Sequence, residues 1–155
     1  MIILVTVGTS LPHDKLIETM DNLVGEGLVN IPVIAQIGFG KYIPKNIRYF
    51  RFSNDLEQFY NMDPIVISNC GAETILENVT KGRKLIVVQN PGIIGGHEWE
   101  FIEKLEKDGN LIWCRKLDEI LVCIRKALTT KFNKLDVYKF DFMSVLKELM
   151  RNGKD

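Results

Sequence analysis

The chain has 155 residues and 46% hydrophobic content, enough for one globular domain that buries a core without staples. Its 20 basic and 20 acidic residues cancel, which argues against the overall electrostatic footprint of a nucleic-acid binder. Cys70, Cys114 and Cys123 show no metal spacing, and only two histidines are present, so a disulfide framework and a zinc cluster are both disfavoured and a reduced, cytoplasmic setting is expected.

Met1 to Val7 is apolar but too short for a signal peptide or a membrane span, and Ile2 to Val7 reads as a buried strand. Pro12 to Val24 carries apolar residues at Leu16, Ile17, Met20, Leu23 and Val24, the spacing of an amphipathic helix. Pro32 to Ile37 and Ile47 to Phe52 read as strands, and Asp55 to Tyr60 as a short helix with Asn54 as its cap. Further strands are expected at Ile65 to Ser68, Leu85 to Val88 and Leu111 to Cys114, with helices at Thr74 to Lys81, His97 to Lys107 and Leu117 to Leu128. Residues 131–155 form a C-terminal extension in which Phe142, Val145, Leu146 and Leu149 make a last helical stripe. No run approaches the roughly 20 apolar residues of a spanning helix.

Short all-apolar strands alternating with helices predict a mostly parallel sheet covered on both faces, a Rossmann-like α/β layer. In such a sheet ligands bind beyond the carboxyl ends of the strands. The turns Gly8-Thr9-Ser10, Gly38-Phe39-Gly40, Cys70-Gly71-Ala72 and Asn90-Pro91-Gly92 all fall there.

The Cys70-Gly71-Ala72 turn joins a buried strand to a helix, whose first N–H groups lack internal partners and attract an anion together with the helix dipole. Gly71 and Ala72 admit a close approach and Thr74 adds a hydroxyl; the plainer alternative is that Gly71 only makes the turn. Gly8-Thr9-Ser10 is a second phosphate-facing candidate. It is neither a P-loop nor a G-x-G-x-x-G loop, which disfavours a dinucleotide oxidoreductase. Gly38-Phe39-Gly40 reads as a mobile turn. Glu77 either accepts hydrogen bonds from a ribose diol or is a solvated helix glutamate, and His97 either reaches a phosphate or caps a helix. Glu98 and Glu100 form no acid/base pair, and no nucleophile set is visible.

Taken together, Val5 to Ser10, Ser68 to Glu77 and His97-Glu98-Trp99-Glu100 resemble, in order and over nearly the whole chain, the nucleotide-sugar-binding half of family-28 glycosyltransferases. The likeness is nearest to small cytosolic subunits that hold only the donor-binding domain of a GT-B enzyme. It implies a subunit that moves a sugar from a UDP-sugar to a lipid-linked acceptor, held peripherally at the membrane by a partner that supplies the acceptor half. Neither a cofactor nor a bound metal is implied. The family pattern Ser-His-Ala-Gly-x-Gly-Thr-x-x-Glu maps onto Ser68, Asn69, Cys70, Gly71, Ala72, Glu73, Thr74 and Glu77. The resemblance then assigns the diphosphate to Gly71, Ala72, Glu73 and Thr74, the ribose to Glu77, and the uracil to Phe52 and Ser53. Gly8, Thr9 and Ser10 would line the opposite wall. The family's Asn-His-Gln-x-Glu segment corresponds to Gly96-His97-Glu98-Trp99-Glu100, so His97, Glu98 and Glu100 would face the sugar or phosphate, with His97 stabilising the leaving group. The general base is expected on the partner. Asn69, Glu73 and Glu98 replace the family's histidine, glycine and glutamine, and the Glu73 carboxylate would repel a diphosphate unless it points away or meets a cation. From another class, the Thr6 to Ser10 opening also resembles CRISPR-associated Rossmann sensors of cyclic oligonucleotides.

Overall fold

The structure is a computed structural model that describes residues 1–8, 11–69, 71–91 and 97–137, apart from the His97 side chain. Thr9, Ser10, Cys70, the Gly95-Gly96 pair and the stripe Phe142 to Leu149 lie outside the described residues.

Strands β1 (Ile3–Thr6), β2 (Val33–Gln36), β3 (Arg48–Phe50), β4 (Ile65–Ser68), β5 (Lys84–Val88) and β6 (Ile112–Cys114) form one six-stranded sheet in the order β3-β2-β1-β4-β5-β6. Every pairing is parallel. Helices α1 (Asp14–Gly25), α2 (Glu57–Tyr60), α3 (Ala72–Lys81) and α4 (His97–Lys107) join successive strands, β2 runs to β3 through a loop, and α5 (Ile120–Thr129) follows β6. This is the doubly wound arrangement expected from the strand composition. The order reverses between β1 and β4, which opens a crevice at their carboxyl ends.

Side-chain alternation divides the core into two layers. Ile3, Val5 and Val7 face Leu16, Ile17 and Met20 of α1 and Ile124 of α5. Leu4, Val66, Leu85 and Val87 face the opposite way, against Ile75 and Val79 of α3 and Ile102 and Leu105 of α4. Burying each of these large apolar side chains contributes about 1.5–3 kcal/mol, which is why both strand faces are apolar in sequence.

Local differences from the sequence reading have local causes. Helix α3 begins at Ala72, two residues earlier than expected, because the Ile75 N–H already donates to Gly71 O at 3.0 Å. It ends in a left-handed Gly82 (φ 69°), with the Arg83 N–H closing on Asn78 O at 3.0 Å. At the start of α2 the capping acceptor is Asp55, whose Oδ1 takes the Glu57 N–H at 3.0 Å, rather than Asn54. The expected helix from Leu117 divides into a 3-10 turn, Leu117–Glu119, and α5. In the C-terminal extension the Leu135 N–H donates to Val79 O at 2.8 Å and the Leu135 side chain is buried, so this segment covers the end of α3.

The edge of the sheet beyond β2 is organised by one carboxylate. Asp21, on α1 and 1% exposed, accepts the Tyr42 hydroxyl at 2.7 Å and the N–H groups of Lys45, Asn46 and Ile47. Burial pushes its pKa up, but the backbone and tyrosine donors outweigh that and hold it below the usual aspartate value.

Candidate functional site

A cavity of about 340 Å³ lies at the β1/β4 reversal on the sheet face that carries α3. Its floor is polar because three strands end in polar residues in register: Thr6 of β1 aligns with Gln36 of β2 on one side and Ser68 of β4 on the other. All three line the cavity. The Thr6 hydroxyl is buried without a hydrogen-bond partner, so the floor offers an unused polar atom.

One wall is the start of α3. The helical ladder begins with Ile75, so the N–H groups of Ala72, Glu73 and Thr74 have no place in it, and all three residues line the cavity with Gly71. The N-cap, Gly71, makes no side-chain cap. These free donors and the positive helix end suit an anion. Gly71 has φ −70° and ψ 119°, an ordinary extended conformation. A Cβ there would sit 3.7 Å from Thr74 Oγ1, ordinary van der Waals contact. The turn itself therefore does not require glycine. Glu73 is exposed on the first turn, on the cavity's rim.

The opposite wall is Val7 and Gly8. Asn69 joins the two walls: its Oδ1 accepts the Gly8 N–H at 2.9 Å, and its Nδ2 donates to Leu11 O at 3.1 Å. The Asn69 amide is thus engaged in holding the β1–α1 loop beside β4, while the residue still borders the cavity.

Other residues singled out in the sequence are not part of this cavity's lining. Glu77 is one turn further along α3, where its carboxylate meets Lys81 Nζ at 3.3 Å and Arg83 Nη1 at 3.5 Å. Glu57 shares both cations, at 3.3 and 3.8 Å. Phe52 is 45% exposed just after β3, and the Ser53 hydroxyl is engaged with the Asp55 backbone, donating at 2.9 Å and accepting at 3.2 Å. Glu98 and Glu100 occupy the first turn of α4, which His97 opens. Trp99, between the two glutamates, stacks on Trp113 at 5.5 Å and thereby orients that turn. Thr9, Ser10 and the His97 side chain fall outside the described residues.

Thr6, Gln36 and Leu56 are cavity residues with no ligand role in the sequence reading, and Ser68 enters there only as the first position of the family pattern. A common signal marks Thr6, Gln36 and Ser68: each is the lone polar residue near the end of an apolar strand run. Their common register becomes visible only once the strands are paired.

On the other sheet face a cavity of about 540 Å³ is bordered by His13, Lys15, Asn90 and Lys116. His13 is 7% exposed and its Nδ1 has no partner. Burial lowers its pKa below the ordinary histidine value, against the opposing pull of Asp14.

The UDP-N-acetylglucosamine transferase subunit ALG13 of Mus musculus is 30% identical over 120 residues, covering 71% of this chain and 10% of that protein. Its Homo sapiens counterpart is 31% identical over 122 residues, covering 72% and 11%. The chain therefore spans about a tenth of the length of these relatives. In Kluyveromyces lactis the similar subunit is 31% identical, with 51% of its length covered. Among solved structures, the NMR solution structure of ALG13 superposes with a TM-score of 0.59 at 19% identity, over 88% of this chain and 89% of that one. Acinetobacter baumannii MurG superposes with a TM-score of 0.60 at 21% identity, over 84% of this chain and 42% of that one. Both likenesses agree in fold with the Rossmann-like half of a GT-B enzyme. Residues 2–130 match the glycosyltransferase family 28 C-terminal domain, and the chain belongs to that family.

Proposed function

We propose that this chain is the donor-binding subunit of a glycosyltransferase that moves a sugar from a UDP-sugar to a lipid-linked acceptor. The observation that carries the reading is the start of α3. Three N–H groups outside the helical ladder border a 340 Å³ cavity beside a glycine that the backbone does not require. The similar subunits are named for UDP-N-acetylglucosamine transfer, which supports a nucleotide-sugar donor and a heteromeric enzyme.

In this reading the diphosphate sits against the N–H groups of Ala72, Glu73 and Thr74, with Gly8, Thr9 and Ser10 opposite. Charge that develops on the leaving UDP is stabilised by these fixed donors and the helix dipole, with His97 adding its imidazole. Glu77 takes the ribose hydroxyls after exchanging part of its pairing with Lys81 and Arg83. Phe52 and Ser53 flank the uracil, and Glu98 and Glu100 approach the sugar. Asn69 acts as the brace that keeps the two walls apart at a fixed width. The base that activates the acceptor hydroxyl belongs to a membrane-associated partner, which also holds this subunit at the membrane surface. Among the described residues no helix is long and apolar enough to cross a membrane.

Thermal unfolding with and without nucleotide tests the donor site. A saturating ligand at a hundred times its Kd stabilises by about 2.7 kcal/mol, a readable shift in Tm. UDP or a UDP-sugar is expected to protect the chain. Protection by cyclic oligoadenylate alone would overturn the proposal in favour of a nucleotide sensor. Reconstitution with the acceptor-binding partner, a lipid-linked acceptor and a panel of UDP-sugars tests transfer itself.

A further inference from the structure

An exposed phenylalanine by itself needs no explanation. Phe39 is 70% exposed, yet the backbone on both sides of it is clamped. Arg51 Nη1 donates to Gly38 O at 3.0 Å and to Gly40 O at 2.9 Å, and the Gly38 N–H donates back to Arg51 O at 2.9 Å. The Gly40 N–H closes on Ile37 O at 3.0 Å, and both Asp14 carboxylate oxygens accept the Lys41 N–H at 3.1 Å. Glycine is obligatory on each flank. Gly38 has φ +57°, and a Cβ on Gly40 would meet Asp14 Oδ1 at 2.5 Å and Ile37 O at 2.9 Å. The segment that reads as a mobile turn in sequence is a rigid mount that holds one aromatic ring in water.

The mount stands at the mouth of the site. A Cβ on Gly38 would lie 3.5 Å from Gly8 O, 3.7 Å from Val7 Cγ2 and 3.8 Å from Phe52 Cε1, and Val7 and Gly8 form a wall of the 340 Å³ cavity. The Phe39 and Phe52 rings meet edge to face, centroids 4.8 Å apart and planes at 65°. A pre-positioned ring with an open face, beside an anion-binding helix start, matches a ligand that carries a flat group next to a phosphate.

We infer that Phe39 is a base-recognition residue: its clamped, exposed ring stacks on the pyrimidine of the bound nucleoside diphosphate, with Phe52 as its lateral support. Arg51 is a positioning residue that acts through the two glycine carbonyls. The inference rests on the donor reading above and goes beyond it by naming a ring that the family motifs leave unassigned.

Calorimetric titration of the full chain with UDP and with 5,6-dihydro-UDP separates the base from the rest of the ligand. The two share ribose and diphosphate, but saturation of C5–C6 destroys the planarity that stacking needs. Wild-type protein is expected to bind UDP about tenfold more tightly than the dihydro compound. F39A is expected to lower UDP affinity about tenfold and abolish that preference, and F39W to restore both. An F39A variant that keeps the wild-type preference, or a wild-type protein without one, overturns the inference while leaving the donor reading intact. A wild-type chain that binds neither nucleotide overturns the donor reading and this inference with it.

Discussion

Asn69 Oδ1 accepts the Gly8 N–H at 2.9 Å across the mouth of the β1/β4 crevice, while the other end of the same amide donates to Leu11 O at 3.1 Å. One 3% exposed side chain thereby sets the spacing of the two cavity walls. Asn69→Ala removes both bonds and leaves the Gly8 N–H unpaired. A loss of about 1–3 kcal/mol in urea unfolding is expected, with weaker UDP binding. Asn69→Asp keeps the acceptor but sets a carboxylate against Leu11 O and the ligand, so it should bind UDP more weakly than Asn69→Ala. Equal affinities of all three proteins would show that the brace is irrelevant to the ligand.

Glu73 brings a negative charge to the rim where a diphosphate would sit. Glu73→Gln should strengthen UDP binding several-fold at low ionic strength, and the gain should shrink as salt screens the charge. Stability should fall at the same time by about 0.3–1 kcal/mol, because an acidic side chain in the first turn of α3 favours the helix dipole. Titrations at low and high salt, with unfolding curves in parallel, read both effects. An affinity unchanged by the substitution would place the carboxylate away from the ligand.

Asp21 makes acid stability a specific property of this fold. Its pKa is below the ordinary 3.8 in the folded protein, so its contribution is fully present above about pH 3.8 and is lost as pH falls through the folded value. Asp21→Ala should cost about 2–4 kcal/mol at pH 7, since the N–H groups of residues 45–47 and the Tyr42 hydroxyl all lose their acceptor. The gap between variant and wild type should narrow at pH 3 and below. Tyr42, whose pKa this hydrogen bond pushes up to about 12, contributes stability that is intact below pH 10 and declines as pH rises through that value.

His13 is buried with an unpaired Nδ1, and His13→Phe should stabilise the protein by about 1–2 kcal/mol at neutral pH. Burial lowers the histidine pKa, so the neutral form's advantage is complete above pH 6.5 and is lost as pH falls below that through the folded value. The phenylalanine variant lacks this titration, and its lead over wild type should grow between pH 7 and pH 5. A constant lead across that range would remove His13 from the acid dependence.

The sheet was readable in the chain because parallel strands buried on both faces must be apolar along their buried length, and residues 3–5, 65–67 and 85–88 are. The position of α3 was readable too, since Ile75, Leu76 and Val79 mark one buried face. The state of the turns was not. Whether Gly71 is demanded by its backbone depends on φ and ψ, and the firmness of Gly38-Phe39-Gly40 depends on Arg51 and Asp14, one after the turn and one before it in sequence.

By itself the sequence determined the order of strands and helices, and therefore that their loops gather at one carboxyl edge. It also determined the family, because residues 2–130 match the family's sequence pattern without reference to the fold. Tertiary structure alone decided that Thr6, Gln36 and Ser68 form one polar floor, that Asn69 braces Gly8, and that Phe39 is held out beside the cavity. The physical reason is range. Periodicity records how each segment is buried, whereas register, bracing bonds and ring contacts join residues that only meet once the strands are paired.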